Sequence, residues 1–263
     1  FIGGVGGVAP TLVGFGLWVL RRAEALGLAR LYFVSRDGQI LHEIAQHLAP
    51  RLGARVELRY LYGSRQAWHL PSIRAIEDRE LAWMLSQASF LSVKTALARV
   101  CVDPEAIAGR LEAHGLPRGC WGAQVTPAQH AALRRLLRED DEVRGLILRQ
   151  AAERREVLLA YLRQEGLCDP APMALVDLGW FGRIQASLAL ASGVRMRGFY
   201  FGLQKGSLSE QDGVREGYFF DNRQGLGFGA DVGDLPCILE AFCAADHGLV
   251  MGYARASEGG VRP

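Results

Sequence analysis

One pattern occurs twice in this chain and narrows its fold more than any other. A short apolar run ends in a polar, glycine-bearing loop and continues as a helix. The first copy is Leu31-Tyr-Phe-Val-Ser-Arg-Asp-Gly-Gln-Ile-Leu-His-Glu-Ile-Ala45, and the second is Pro172-Met-Ala-Leu-Val-Asp-Leu-Gly-Trp-Phe-Gly-Arg-Ile-Gln185. Continuous apolar runs of four or so residues between turn signals read as strands buried on both faces. Two such units in one chain predict a doubly wound, mostly parallel α/β sheet with a ligand at the C-terminal edge of its strands. The plainer alternative is a pair of ordinary strand-to-helix turns.

Further elements follow the same alternation. Thr11 to Leu28 reads as a helix closed near Gly27. Strand one is Leu31 to Val34, its helix Gln39 to Leu52, and strand two Val56 to Leu61, which exits through Tyr62-Gly-Ser-Arg-Gln66. Strand three is Met173 to Val176 with a helix Arg183 to Ala191. Strand four is Met196 to Phe201, strand five Glu216 to Phe220, and a last helical piece surrounds Ile238 to Phe242. Gly225 to Gly233 reads as irregular. Between Pro71 and Gly166 the pattern is helical throughout and too long for a simple crossover, so it reads as an insert or cap. Thr126-Pro-Ala-Gln129 is a helix start within it. The expected division is a core of residues 1–70 and 167–263 around a helical insert, 71–166.

Composition is that of a globular chain: 263 residues, 49% hydrophobic and 22% charged. A formal charge of +2 argues against broad electrostatic binding to nucleic acid. Cys101, Cys120, Cys168, Cys237 and Cys243 are odd in number and lack C-x-x-C spacing. They imply neither a disulfide framework nor a zinc site, and fit a reducing cytoplasm as small apolar fillers. Residues 1 to 20 carry no charge and superficially resemble a membrane span. Six glycines and Pro10 in that stretch point instead to a buried loop and helix leading into strand one. Gly4-Val-Gly-Gly-Val-Ala9 matches a dinucleotide fingerprint formally but lacks the strand that must precede it. A start at Phe1 fits a module of a longer protein.

Several side chains stand where chemistry is expected. In Ser35-Arg36-Asp37-Gly38 the glycine lets backbone N–H groups face an oxyanion, and Arg36 can neutralise a pyrophosphate. Asp37 can act as a base, orient a hydroxyl or meet a metal; the competing reading is an Asx turn capping the next helix. Asp177 ends strand three, Gly179 and Gly182 free the backbone, and Arg183 adds charge at a helix start. Trp180 lies between those glycines. Glu240 and His247 sit late in the chain and can return to the sheet edge; a buried arginine partner and a turn residue are their alternatives. His42 and His47 do not have ligand-pair spacing, and Trp68, Trp83 and Trp121 read as packing of the insert.

Asp37 after strand one resembles the acidic loop of haloacid dehalogenase-type phosphatases. Their motif is Asp-x-Asp, and Ser35 stands where the nucleophile belongs. Asp177 and the loop to Gly182 resemble the sugar-phosphate cradle of type I phosphoribosyltransferases. This chain has one acid rather than an adjacent pair, and Trp180-Phe181 in place of small hydroxyl residues. Arg36-Asp37-Gly38, Ser64-Arg65 and Asp177-Leu-Gly-Trp-Phe-Gly-Arg-Ile-Gln185, in that order, resemble the phosphoribosyltransferase-like ribofuranosyltransferases of bacterial surface polysaccharide assembly, often fused to a phosphatase domain. The resemblance spans nearly the whole chain.

It implies transfer of ribofuranose 5-phosphate from phosphoribosyl pyrophosphate (PRPP) to a glycan hydroxyl, with inversion and release of pyrophosphate, in O-antigen or capsule assembly. Ser35, Arg36, Gly38, Ser64 and Arg65 would lie around the pyrophosphate, with Asp177 on the ribose hydroxyls. Gly179, Trp180, Gly182, Arg183 and Gln185 would line the 5-phosphate side, with Asp37 as base and Glu240 and His247 at the rim. Mg2+ would travel with the donor. The implied partners are PRPP, a glycan or lipid-linked glycan acceptor and an associated or fused phosphatase, with a cytoplasmic location peripheral at the inner membrane. A phosphate-ester hydrolase and a non-catalytic sugar-phosphate-binding module are the alternatives.

Overall fold

The computed structural model describes residues 2–86, 90–206, 212–223 and 234–263, with the backbone alone for 2–6. The principal elements in chain order are α1 (Ile2–Ala25), β1 (Arg30–Val34), α2 (Gly38–Leu52), β2 (Glu57–Leu61), α3 (Arg65–Ser72), α4 (Asp78–Met84) and α5 (Val93–Arg99). Then come α6 (Ala108–Ala113), α7 (Pro127–Glu139), α8 (Asp141–Gln164), β3 (Met173–Asp177), α9 (Arg183–Ser192), β4 (Arg197–Leu203), β5 (Arg215–Asp221), α10 (Leu235–Phe242), β6 (Ala254–Arg255) and β7 (Val261–Arg262). The chain forms two compact units, Phe1–Trp68 with Ala160–Pro263, and His69–Leu159. It leaves the first within α3 and returns within α8.

The first unit is α/β. Among the described residues its main sheet has five strands, all parallel, in the order β2-β1-β3-β4-β5. Leu31 to Val34 and Ala174 to Val176 are at most 1% exposed, as their unbroken apolar runs predict; each large side chain so buried contributes roughly 1.5–3 kcal/mol. Alternate side chains serve opposite faces. Leu31, Phe33, Ala174, Val176, Phe199 and Phe201 form one cluster with Phe15 and Val19 of α1 and Leu41 and Ala45 of α2. On the other face the Tyr32 hydroxyl donates to the Glu165 carbonyl at 2.7 Å, and the Tyr200 hydroxyl to Gln185 Oε1 of α9 at 2.8 Å. Helices therefore cover both faces, and the strand order reverses direction between β1 and β3. In an open parallel sheet that reversal leaves a crevice at the strands' C-terminal ends.

The N-terminal glycines do not form a loop. They lie in α1, which starts at Ile2 and packs on α2 and β5. A Cβ at Gly14 would sit 2.6 Å from the Tyr218 hydroxyl, and one at Gly16 2.9 Å from the Ile44 side chain. At these two positions close approach accounts for a residue that otherwise costs a helix roughly 1 kcal/mol. Among the described residues, no helix is long and apolar enough to cross a membrane. The irregular stretch expected at 225–233 lies outside the described residues.

The tail is anchored by Tyr253. Its hydroxyl donates to the Tyr62 carbonyl at 2.7 Å and accepts from Trp68 Nε1 at 2.6 Å, while its ring stacks on Tyr161 at 4.5 Å. Trp68 thus packs the α/β unit rather than the helical one, contrary to the sequence expectation. Gln164 brackets the β6–β7 hairpin, bonding both the N–H and the carbonyl of Val261. These contacts place the end of α8 with the sheet, so the second unit closes at Leu159, earlier than the helical pattern indicates.

The second unit is helical, around Leu81, Leu97, Leu111, Leu133 and Ile147, all inaccessible to solvent. Thr126 and Gln129 form a reciprocal capping box at α7 with Pro127 in the first turn, and Ser92 and Thr95 form another at α5. Trp121 is buried there, its indole N–H donating to the Leu116 carbonyl at 2.9 Å; Trp83 packs at the edge of the same core.

Candidate functional site

Parallel pairing sets the ends of β1 and β3 side by side, Phe33 opposite Val176, so the loops that follow them flank the crevice. The loop after β1 is tied to the loop after β2: the Ser35 hydroxyl donates to the Gly63 carbonyl at 2.8 Å and accepts from the Gly63 N–H at 3.0 Å. Gly38 lets α2 start hard against β1, since a Cβ there would lie 2.8 Å from the Phe33 carbonyl carbon. Gly179 has φ +147° and no room for a side chain against the Gly202 carbonyl. The Gly202 N–H donates to the Leu178 carbonyl at 3.1 Å and the Gln204 N–H to the Trp180 carbonyl at 2.7 Å, so this loop runs on along β4. Ser35–Arg36 and Gly179–Trp180 are both cis peptides.

Asp177 and Asp37 meet electrostatically at this crevice. Asp177 is 7% exposed and its Oδ1 accepts from the Leu178 N–H at 2.9 Å. Burial, reinforced by the charges of Asp37 and Glu240, pushes its carboxyl up to about 8; the Leu178 bond and Arg65 pull the other way. Asp37 is half-buried at the start of α2 and makes no capping bond with its side chain, so the Asx-cap reading has no support. Burial and then Glu240 raise it to about 6, against Arg36 and Arg65. At neutral pH the first group therefore carries a proton and the second is a carboxylate poised to accept one. Arg36 and Arg65 are both exposed, available to an anion in the same crevice.

Other expected residues take several roles. Trp180 donates its indole N–H to Glu240 Oε1 at 2.9 Å and stacks on Phe220. Glu240 is exposed on α10 and faces an indole, not a buried arginine. His247 Nδ1 lies 2.8 Å from the Gly248 carbonyl and Nε2 2.7 Å from the Tyr60 hydroxyl. A carbonyl only accepts, so in the neutral ring Nδ1 carries the proton and the Tyr60 hydroxyl donates to Nε2. The Asp246 N–H reaches Gln39 Oε1 at 3.1 Å, bringing the tail to the start of α2.

Arg183 is exposed, its guanidinium 4.7 Å over the Phe181 ring. Gly182, at φ +62°, has the Arg215 guanidinium where a Cβ would go. Ser64 and Gln185 are structural. The Ser64 hydroxyl caps α3 through Ala67 N–H at 3.0 Å and donates to the Val250 carbonyl at 2.6 Å. Gln185 is 1% exposed and its amide bonds Met196, Val214 and Tyr200.

No known family model matches the chain, and no curated protein is detectably similar to it in sequence. The site therefore rests on its own chemistry. Among the described residues no three ligating side chains converge to hold a metal. Cys243 is buried against the α1–α2 side of the sheet, its thiol pushed up to about 12 by burial and then by Asp37, so it stays a protonated filler. Cys168 and Cys237 are exposed, contrary to that expectation for them. Sequence reasoning missed Tyr60 and Phe220. Both lie in strands whose composition identifies the strand but not which ring meets His247 or Trp180.

Proposed function

We propose that this chain is a glycosyltransferase that moves ribofuranose 5-phosphate from PRPP to a glycan hydroxyl in surface polysaccharide assembly, on a core of the type I phosphoribosyltransferase kind. The observation that carries the reading is buried Asp177 within electrostatic reach of half-buried Asp37, with Arg65 acting on both and Arg36 on Asp37, at the break in strand order.

Each group has work that suits it. As the donor's C1–O bond breaks, the electron pair leaves with pyrophosphate, and Arg36 and Arg65 offset the charge that develops there. Asp177, protonated at rest, can both donate to and accept from the ribose hydroxyls. The N–H groups of the Gly179–Gly182 loop, with Arg183, receive the 5-phosphate. Asp37 takes the proton of the attacking hydroxyl, and attack opposite the leaving group turns an α-configured donor into a β-ribofuranoside. Mg2+ is read as part of the donor, held by pyrophosphate oxygens and water and further neutralising the leaving group. Ser64 and Gln185 support the loops rather than touching substrate. The cytoplasmic, membrane-peripheral location follows from the proposed donor and a lipid-linked acceptor. The phosphate-ester hydrolase alternative gains nothing from Ser35, whose hydroxyl is spent on Gly63.

Calorimetric titration with Mg–PRPP tests the reading. Expected is a Kd on the order of micromolar, much tighter than for ribose 5-phosphate and lost in Asp177→Ala, which removes both donor and acceptor. Transfer should rise with pH through about 6 as Asp37 ionises, and Asp37→Asn should abolish it while leaving the melting temperature intact. Absence of donor binding, or near-normal turnover in Asp37→Asn, would overturn it.

A further inference from the structure

We propose that Trp180 and Glu240 form the acceptor subsite and that it takes a pyranose ring; the proposal rests on the transferase reading above. Trp180 follows Asp177 by three residues, and its carbonyl is held by the Gln204 N–H, which fixes the loop to the end of β4. Its indole lies 2° from parallel to the Phe220 ring, centroids 5.9 Å apart. Phe220 is 3% exposed and supports the indole in an offset stack, while Trp180, which also packs on the core cluster, stays half-buried. The indole N–H holds Glu240 Oε1, and Glu240 is exposed. A carboxylate has about four accepting positions, so one such bond leaves capacity for further donors. Its charge reaches both Asp37 and Asp177, which sets this rim beside the proposed base.

A pyranose has an apolar C–H face and a ring of hydroxyl donors. A supported aromatic plate next to an exposed carboxylate matches that pair of features. The exposure of Glu240 also suits an acceptor that continues beyond the site, as a glycan does, better than a nucleobase that a pocket encloses.

Saturation-transfer NMR on octyl α- and β-pyranosides of gluco, galacto and manno configuration tests binding without any donor. Pyrophosphate release from Mg–PRPP with the same glycosides then tests transfer, with adenine and orotate run alongside. The expected result is saturation of the pyranose C–H protons by the wild type, falling at least fivefold in Trp180→Ala. The acceptor KM should rise at least tenfold in Trp180→Ala and Glu240→Gln, and by less in Trp180→Phe, which keeps the stacking and loses the N–H. If Trp180→Ala melts early, Trp180→Phe and Glu240→Gln carry the test. Equal saturation in wild type and variants, or pyrophosphate release with nucleobases but not glycosides, would overturn the subsite. Wild-type protein that binds glycosides at Trp180 yet fails to bind PRPP would instead refute the transferase reading and uphold the subsite.

Discussion

Replacing Asp177 by asparagine should make stability less dependent on pH, by an amount that follows from the burial of this carboxyl. In the fold its pKa rises from the ordinary 3.8 to about 8, through burial first and then the charges of Asp37 and Glu240. In the unfolded chain it titrates near its ordinary value. Between those limits the native state holds a proton that the unfolded state has released. The unfolding free energy therefore falls as pH rises from about 4 to about 8, and levels off above. At 1.36 kcal/mol per tenfold change in proton affinity, the whole span is bounded by roughly 6 kcal/mol, of which about 4 kcal/mol falls between pH 5 and pH 8. Reorientation of nearby dipoles around the ionised group reduces this, so about 2 kcal/mol or more is expected. An asparagine keeps the acceptor for the Leu178 N–H and nearly the same volume, without the charge. Urea denaturation of both proteins at pH 5, 6.5 and 8, without ligand, measures the effect. The gap should move in favour of Asp177→Asn by about 2 kcal/mol or more from the lowest pH to the highest. A gap constant to within about 0.5 kcal/mol, the scatter of such measurements, or one that moves the other way, would refute the reasoning.

Gly179→Ala should destabilise the α/β unit by roughly 2–4 kcal/mol, because the position combines φ +147° with a Cβ driven into the Gly202 carbonyl. A thermal melt within 1 °C of wild type would contradict that contact. Leu97→Ala empties a fully buried position in the helical unit and should cost roughly 2–5 kcal/mol in chemical denaturation; a loss below 1 kcal/mol would mean the helices repack around the gap.

The sheet could be read from the sequence because a strand buried on both faces writes its burial as an unbroken apolar run. Leu31 to Val34 and Met173 to Val176 do this, and their positions predict two of the loops at the crevice. The glycines of α1 misled for the opposite reason. Glycine reports a need for backbone freedom or for close approach with the same letter, and Gly14 under Tyr218 is a case of approach. At the site, Asp37 and Asp177 could be found because each stands alone at a strand exit. Gln185 and Ser64 share the same motifs yet serve inside the packing, a distinction that depends on partners such as Met196 and Val250, remote in the chain. Tyr60 and Phe220 gave no sign at all, since aromatic residues are ordinary in strands and the rings they meet at the site, His247 and Trp180, come from other loops.

The central pairing of the sheet joins Arg30 to Met173, with the helical unit between them in sequence. During synthesis β1 can meet β2 early, since α2 alone separates them, but the other edge of β1 has no neighbour until the chain has grown past Asp177. At roughly 5–20 residues per second that interval lasts on the order of ten seconds. Throughout it, one side of an apolar strand presents unpaired N–H and carbonyl groups, the kind of template on which foreign strands add. The helical unit can form its own core in that time. Completion of the Asp37–Asp177 crevice thus marks the moment when β1 ceases to be an open edge and the exposed side passes to β3.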